Sequence, residues 1–315
     1  MSVTAAQGFR AAGVRAGLKA SGKPDLALVV NDGPLDTAAG VFTTNRVVAA
    51  PVVWSRRLLA GREGGQPGHA RAVVLNSGSA NACTGAQGLR DTEATAARAA
   101  GLVGIEPDQV LVCSTGVIGE RIDMPVLLEG VDVAALALAD TPQAGTDAAT
   151  AIMTTDTVSK EDALTVGTGE QSWTIGGMIK GVGMLAPGLA TMLAVITTDA
   201  VLTPEQAQDA LASATMRTVN RINSDGCMST NDTVLLLASG ASGTTPSQDE
   251  LDEALTEVMS RLGRRLVADA EGATHDIAIT VSGAVSEQAA EAAARTVSSS
   301  NLLKCAVAGA DPNWG

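Results

Sequence analysis

The sequence has very few aromatic residues: Phe, Trp and Tyr together make up 2% of 315 residues, and tyrosine is absent. Without tyrosine, no phenol is available as a general acid or base. The interior must therefore be built from aliphatic side chains, which dominate the 45% hydrophobic content. A chain of this length can bury a large core of that kind without disulfides or structural metals.

Histidine is equally scarce, because only His69 and His275 occur. His69 lies in a Gly/Pro-rich loop and His275 precedes a predicted strand, so we interpret both as structural residues. The sequence also has no GxSxG, no GxxxxGK[ST] and no complete dinucleotide-binding motif. These absences argue against a Ser-His-Asp hydrolase, a P-loop NTPase and a nicotinamide-dependent enzyme.

Positive charge is too sparse for a polyanion-binding protein, since the formal net charge is −13. This charge argues against nucleic acid and anionic membranes as partners. The cysteines share no metal-ligand spacing, so we expect no metal site, reduced thiols and a cytoplasmic location. No apolar run approaches the roughly 18 residues of a membrane span. Residues 1–24 carry basic but no acidic residues, as transit peptides do, yet their glycine-punctuated pattern favours a folded segment.

Short apolar runs bounded by turn residues predict strands, and patterns of helical spacing lie between several of them. Two helices have clear starts, with capping boxes beginning at Thr203 and Ser247. The mixture predicts an α/β or α+β fold in which helices pack on mixed sheets. The predicted strands are residues 26–30, 72–76, 110–114, 193–197, 234–239 and 277–281.

The apolar, glycine-rich loop 181–188 leads into a predicted strand and places Ala190 and Thr191 at their junction. A threonine becomes an effective nucleophile when its own free α-amine serves as the base, with a pKa of about 7.7 to 8.0. Thr191 would gain that amine if the chain were cut after Ala190, whose small side chain leaves the carbonyl open to attack. The spacing alone is weak evidence for this role, because a threonine at a strand start is nearly always structural.

Several segments spread over nearly the whole chain carry the signatures of one family, in the family's order. They resemble the ornithine acetyltransferases, the bifunctional glutamate N-acetyltransferases of arginine biosynthesis. The segments are AAGVFTTN (38–45), LNSGSANACTG (75–85), STGVIGE (114–120), AIMTTDT (151–157), KGVGMLAPGLATMLAVITTDA (180–200), STNDT (229–233), DAEGATH (269–275) and DPNWG (311–315).

The resemblance implies a sandwich fold like that of the DmpA aminopeptidases and ornithine acetyltransferases, matured by self-cleavage between Ala190 and Thr191. Residues 1–190 would form an α chain and residues 191–315 a β chain, incomplete at its C-terminus. Two α and two β chains are expected to form a heterotetramer. Thr191 would carry the acetyl group of N2-acetyl-L-ornithine as an ester and pass it to L-glutamate, without a cofactor. Acetyl-CoA is an alternative acetyl donor.

The family's remaining site positions also transfer onto this sequence. Its oxyanion donors fall on Thr115 and Gly116. Its substrate-binding positions fall on Lys180, Thr191, Glu271 and one threonine of MTTDT, where we prefer Thr155 to Thr154. Lys180 would hold a substrate carboxylate, and Glu271 an ammonium group.

The sequence departs from the family pattern at Ser79, where asparagine is usual, and at Cys227 and Met228, where two polar residues are usual. The family also continues beyond DPNWG, so we expect the chain to lack its C-terminal substrate contacts, to mature, and to transfer acetyl poorly. Two alternatives stay open. The chain could be an aminopeptidase or amidase with an N-terminal nucleophile, or an inactive, incomplete paralogue.

Overall fold

The computed structural model describes residues 2–61, 66–185 and 192–312. Within those ranges the strands form two mixed sheets. The first has the order β1-β2-β4-β5, from Phe9–Val14 (β1), Leu26–Asn31 (β2), Ala72–Ser79 (β4) and Val110–Val117 (β5). The second has the order β3-β9-β8-β7-β6, from Thr37–Phe42 (β3), Lys160–Val166 (β6), Trp173–Lys180 (β7), Leu193–Thr198 (β8) and Thr233–Ala238 (β9).

The two sheets pack face to face, as the alternation of side chains along the second sheet shows. Val195 and Leu235 belong to the core shared with the first sheet. Their neighbours Ile196 and Leu236 belong to a second core with helices on the outer face. β8 (LAVITT) and β9 (TVLLLA) are buried at every position, because both of their faces are covered. Strands covered in this way are typically apolar at successive positions.

Helices complete the outer layers, giving the order helices, sheet, sheet, helices and confirming the predicted layered fold. The first four helices along the chain lie against the first sheet, and the fifth and sixth lie against the second. Both predicted capping boxes form, at Thr203 and Ser247. The helices are Ala50–Leu59 (α1), Gly85–Val103 (α2), Met124–Leu136 (α3), Pro142–Ala151 (α4), Pro204–Arg217 (α5), Gln248–Ala268 (α6), Glu287–Ser298 (α7) and Asn301–Ala308 (α8). No helix within the described ranges is long and apolar enough to cross a membrane.

One predicted strand is wrong, because residues 277–281 form no strand. The segment has no ladder partner among the described residues, and Ile277 remains 40% exposed. An apolar run becomes a strand only when a neighbouring strand satisfies its backbone groups. The other five predicted strands are confirmed as β2, β4, β5, β8 and β9, and the N-terminal segment folds as β1.

Sequence patterns missed four strands, β1, β3, β6 and β7. Three of these, β1, β3 and β7, are rich in glycine or other small residues. In β7, Gly176 illustrates the reason for a small residue. A Cβ atom at this position would lie 2.2 Å from the carbonyl oxygen of Ser2. Close approach of a neighbouring backbone therefore selects glycine at a position that, read locally, resembles a loop.

Matched leucine substitutions test the location of the core. Leu235 is fully buried between the sheets and Leu302 is 71% exposed on α8. Leu235→Ala should lower the free energy of unfolding by about 2 to 5 kcal/mol, and Leu302→Ala by no more than about 0.5 kcal/mol. Urea unfolding of both variants at one protein concentration measures the difference. Equal losses would contradict the assignment of the core.

Candidate active site

Two predicted site residues meet where β5 and β7 end. Thr115 lies near the end of β5, and Lys180 is the last residue of β7. The Lys180 ammonium donates a hydrogen bond to Thr115 Oγ1 at 3.3 Å. Both residues are buried, with 2% and 3% exposure. The fold thus joins side chains that lie 65 positions apart in the sequence.

Gly116, the second predicted oxyanion donor, is exposed beside buried Thr115. Its φ of 133° is in a region that favours glycine. A Cβ atom there would lie 2.4 to 2.6 Å from backbone atoms of Gly78 and Ser79. The close crossing of β4 and β5, where their register shifts, therefore requires glycine at this position.

A buried ionic network lies beside this contact. The Lys160 ammonium binds Asp156 Oδ1 at 2.7 Å and Asp269 Oδ2 at 2.5 Å. The side chains of Lys160 and Asp156 are fully buried, and that of Asp269 is 7% exposed. Because Asp269 caps the end of α6, the network ties that helix to the start of β6.

Asp156 also holds the backbone on the site side of the network. Its Oδ1 accepts a hydrogen bond from the Gly181 amide at 2.8 Å, and its Oδ2 accepts one from the Thr154 amide at 2.9 Å. Burial opposes ionisation, but the charge of Lys180, the hydrogen bond and charge of Lys160 and the hydrogen bond from the Thr154 amide hold the pKa of Asp156 below its usual value. Asp156 is therefore a carboxylate.

Lys180 and Asp232 are the buried groups whose pKa values change most. Burial lowers the pKa of Lys180 to about 8, although Asp156 and Asp232 favour its charged form. Burial raises the pKa of Asp232 to about 8, opposed by a hydrogen bond from the Met192 amide. That bond reaches Asp232 Oδ1 at 3.2 Å, and Oδ2 has no hydrogen-bond partner among the described residues.

The segment before β9 joins the two sheets at the same place. Asn231 donates from Nδ2 to the carbonyl oxygens of Ala80 at 2.6 Å and Ser114 at 2.8 Å. Its neighbour Asp232 holds the Met192 amide, so residues from three distant segments are fixed against one another. The precise placement of Thr115 therefore depends on contacts outside its own strand.

Glu271 and Thr155 meet at the exposed side of the site. Thr155 Oγ1 donates to Glu271 Oε1 at 2.7 Å, and the Glu271 amide donates to the carbonyl oxygen of Val182 at 2.8 Å. Thr154 instead directs its hydroxyl to Asp156 Oδ2 at 3.4 Å. Of the two threonines weighed from the sequence, Thr155 is the one that contacts Glu271.

Ala190 and Thr191 lie outside the described residues, but both flanks of their segment are placed. Lys180 and Leu193 are paired across β7 and β8. Val182 and Leu185 of the apolar loop are buried. Met192, which follows Thr191 directly, is held by Asp232.

Comparisons with known proteins agree with the resemblance. The ArgJ family profile matches residues 10–315. The arginine biosynthesis bifunctional protein ArgJ of Bifidobacterium longum is 60% identical over 316 residues, which cover 100% of this chain and 78% of that protein. The chain belongs to the ArgJ family.

Two solved structures extend the comparison. Ornithine acetyltransferase of Mycobacterium tuberculosis, solved in complex with ornithine, is 52% identical with a TM-score of 0.56, covering 60% of this chain and 96% of that chain. The L-aminopeptidase D-Ala-esterase/amidase of Ochrobactrum anthropi is 13% identical with a TM-score of 0.53, covering 87% of this chain and 88% of that chain. The second likeness shows the fold alone, a variant of the Ntn hydrolase fold, and confirms the predicted sandwich.

Sequence reasoning missed the charged residues that hold the site together. Asp156, Asp232 and Asp269 lie in ArgJ-like segments, and that position was the available signal. Lys160 had no signal, because nothing local marks a lysine as buried. The histidines take part in other contacts: His69 Nδ1 lies 2.8 Å from Asp36 Oδ1, and the His275 ring contacts Thr274.

Replacing Lys160 tests the ionic network. Lys160→Met leaves two buried carboxylates without their cation and should lower the free energy of unfolding by about 3 to 5 kcal/mol at neutral pH. Arg261→Met is the matched control, because its pair with Glu257 is exposed at 40% and 53%. Its loss should be below about 1 kcal/mol. Equal losses would contradict a structural role for the network.

The same variant predicts a pH dependence. Although burial opposes it, Lys180 and Lys160 hold the pKa of Asp156 below its usual value, and Lys160 and Thr157 do the same for Asp269. Depressed carboxylate pKa values stabilise the fold above about pH 4, and this contribution is lost as pH falls through the folded-state values. The stability difference between wild type and Lys160→Met should therefore shrink between pH 6 and pH 3 in urea unfolding. A constant difference would exclude the ionised pairs as its cause.

Proposed function

We propose that this chain is an acetyltransferase that moves the acetyl group of N-acetylornithine to glutamate, with Thr191 as nucleophile. The observation that carries the proposal is the contact between Lys180 and Thr115 in an ArgJ-family chain. It places a buried hydroxyl donor beside the strand pair β7 and β8, whose connection contains Thr191. The exposed pair Thr155 and Glu271 supplies polar groups for an amino acid on the same side.

The first reaction is maturation. The Thr191 hydroxyl attacks the carbonyl carbon of Ala190, and the peptide C–N bond breaks as its nitrogen takes a proton. Water then hydrolyses the resulting ester, leaving Ala190 with a carboxylate and Thr191 with a free amine. The Thr115 hydroxyl and the Gly116 amide stabilise the negative oxygen of the tetrahedral intermediate. Loss of one such donor typically costs a factor of about 10² to 10³ in rate.

The second reaction is transfer. The Thr191 amine takes the proton of its own hydroxyl, which attacks the acetyl carbonyl of N-acetylornithine. Ornithine leaves with the proton, and acetyl remains on Thr191 as an ester. The glutamate amine then attacks this ester, so that N-acetylglutamate leaves and Thr191 is regenerated. The ping-pong sequence needs no cofactor. Acetyl-CoA can supply the same ester through its thioester.

Glu271 supplies the charge that selects amino acids. Its exposed carboxylate can pair with the side-chain ammonium of N-acetylornithine or with the α-ammonium of glutamate. The hydrogen bond from Thr155 and the backbone contact with Val182 hold it beside the loop that leads to Thr191. This charge pairing favours an amino acid acceptor over water, and it distinguishes the transferase from an amidase on the same fold.

Cleavage would divide the chain into residues 1–190 and 191–315, and the fold accommodates that division. The Mycobacterium tuberculosis chain agrees with a division of this kind, since 96% of it aligns with 60% of this chain. We extend the proposal to an assembly of two α and two β chains. The reaction sequence above requires one Thr191 in each active site of that assembly.

Replacing Thr191 tests the nucleophile. Thr191→Ala removes the hydroxyl and should leave the chain uncut and without transfer activity. Thr191→Ser keeps both the hydroxyl and the future amine, so it should still be cut. Gel electrophoresis and intact mass report cutting, and N-terminal sequencing of the smaller wild-type product should begin Thr-Met-Leu-Ala. Any other start would contradict the assignment of Thr191.

Replacing Glu271 separates the two reactions. Glu271→Gln removes a charge needed only when a free amino acid binds, so cutting should be unchanged. Transfer should lose about 10- to 100-fold in kcat/KM, the value of a hydrogen bond to a charged group. Glu253→Gln, at an exposed position of α6, is the matched control. An uncut Glu271→Gln chain would assign Glu271 to the fold and not to substrate binding.

A further inference from the structure

The Lys180 ammonium has an unusual environment for a buried cation. Among the residues that the structure describes, its one hydrogen-bond partner is the neutral hydroxyl of Thr115. The carboxylate of Asp156, which acts on it electrostatically, is bound instead by Lys160 and two backbone amides. A buried cation usually contacts an anion, because leaving water costs several kcal/mol per ion. The placement of Lys180 therefore calls for a reason other than stability.

The chemistry of the two groups fixes the direction of their hydrogen bond. An ammonium has only donors, so Thr115 Oγ1 must be the acceptor. The hydroxyl hydrogen of Thr115 is then directed away from Lys180 and is free to donate to another oxygen. Accepting from a cation also polarises the hydroxyl and strengthens the bond that it donates. These are the properties required of an oxyanion donor.

We propose that Lys180 is a positioning residue for the oxyanion donor Thr115, which it orients and polarises. The inference rests on the proposed function, in which Thr115 stabilises the tetrahedral intermediate. It goes beyond the expectation drawn from the sequence, where Lys180 only holds a substrate carboxylate.

Maturation distinguishes these two roles, because it involves no free amino acid. A carboxylate-binding Lys180 would be irrelevant to cutting. A Lys180 that acts through Thr115 would matter for cutting as much as for transfer. The rate of self-cleavage of the full chain is therefore a direct measure of the proposed role.

The charge of Lys180 gives a second signature. Burial lowers its pKa to about 8; Asp156 and Asp232 favour the charged form, whereas Lys160 and Lys19 disfavour it. The ammonium is then largely present at pH 7 and is lost as pH rises through about 8. Cutting should show a descending limb in this range. Lys180→Arg should lack that limb up to pH 9.5, because arginine keeps its charge.

The experiment follows cutting of the full chain after cell-free synthesis, at pH 6 to 9.5. The variants are Thr115→Val, Lys180→Met, their double mutant and Lys180→Arg, with exposed Lys23→Met as the matched control. Thr115→Val should slow cutting about 10²- to 10³-fold, as expected for loss of an oxyanion donor. Lys180→Met should slow it about 10- to 100-fold, because it weakens that donor without removing it. The double mutant should be no slower than Thr115→Val alone.

Several outcomes would overturn the inference. Lys180→Met cutting as fast as wild type, with only transfer impaired, would return Lys180 to substrate binding. Multiplied effects in the double mutant would show that Lys180 acts independently of Thr115. If Lys180→Met does not fold, the pH profile of Lys180→Arg is the test. A fall in the cutting rate of this variant near pH 8 would contradict the proposed role. An uncut wild-type chain would instead contradict the proposed self-cleavage, and this inference with it.

Discussion

Charge buried where the two sheets meet is the constraint on which the site depends. Lys160, Lys180, Asp156 and Asp232 are each at most 5% exposed. An ion in a protein interior is tolerated only when close partners replace its hydration. Lys160 and Asp156 must therefore stay within hydrogen-bond distance of each other. Lys180 and Asp232 are held instead by Thr115 and by the Met192 amide. Displacing either member of the Lys160 and Asp156 pair would leave a buried charge without its partner, which typically costs about 3 to 5 kcal/mol.

This constraint also links the site to completion of the fold. Asn231 binds the backbone at Ala80 and Ser114, Asp232 binds the Met192 amide, and Lys160 connects β6 to the end of α6. These contacts link the first sheet to the second sheet and to the end of α6. The hydroxyl of Thr115 reaches its final environment only when all of them have formed. Chemistry that depends on the placement of that hydroxyl is consequently confined to the folded chain.

Sequence reasoning succeeded where the signal is local and failed where it is not. The strands 193–197 and 234–239 were visible because both of their faces are buried, which makes them continuously apolar. β1, with the sequence FRAAGV, was invisible because its small residues are selected by close packing against distant backbone. For the site, family-like segments indicated Thr115, Lys180, Thr155 and Glu271. The pairing of Lys160 with Asp269 could not be predicted, because the two residues lie 109 positions apart and nothing local marks Lys160 as buried.

The topology of the second sheet bears on how a divided chain could remain one enzyme. Strands β3, β6 and β7 precede position 190, and β8 and β9 follow it. The order β3-β9-β8-β7-β6 places both later strands between earlier ones. The two products would thus share ladders on both sides of the β8 and β9 pair. Core residues such as Val195 and Leu235 would still lie against the first sheet, which is built entirely from the earlier part of the chain. The proposed cut would remove one covalent connection between strands that stay paired, so a new terminus could form at Thr191 without releasing either fragment from the site.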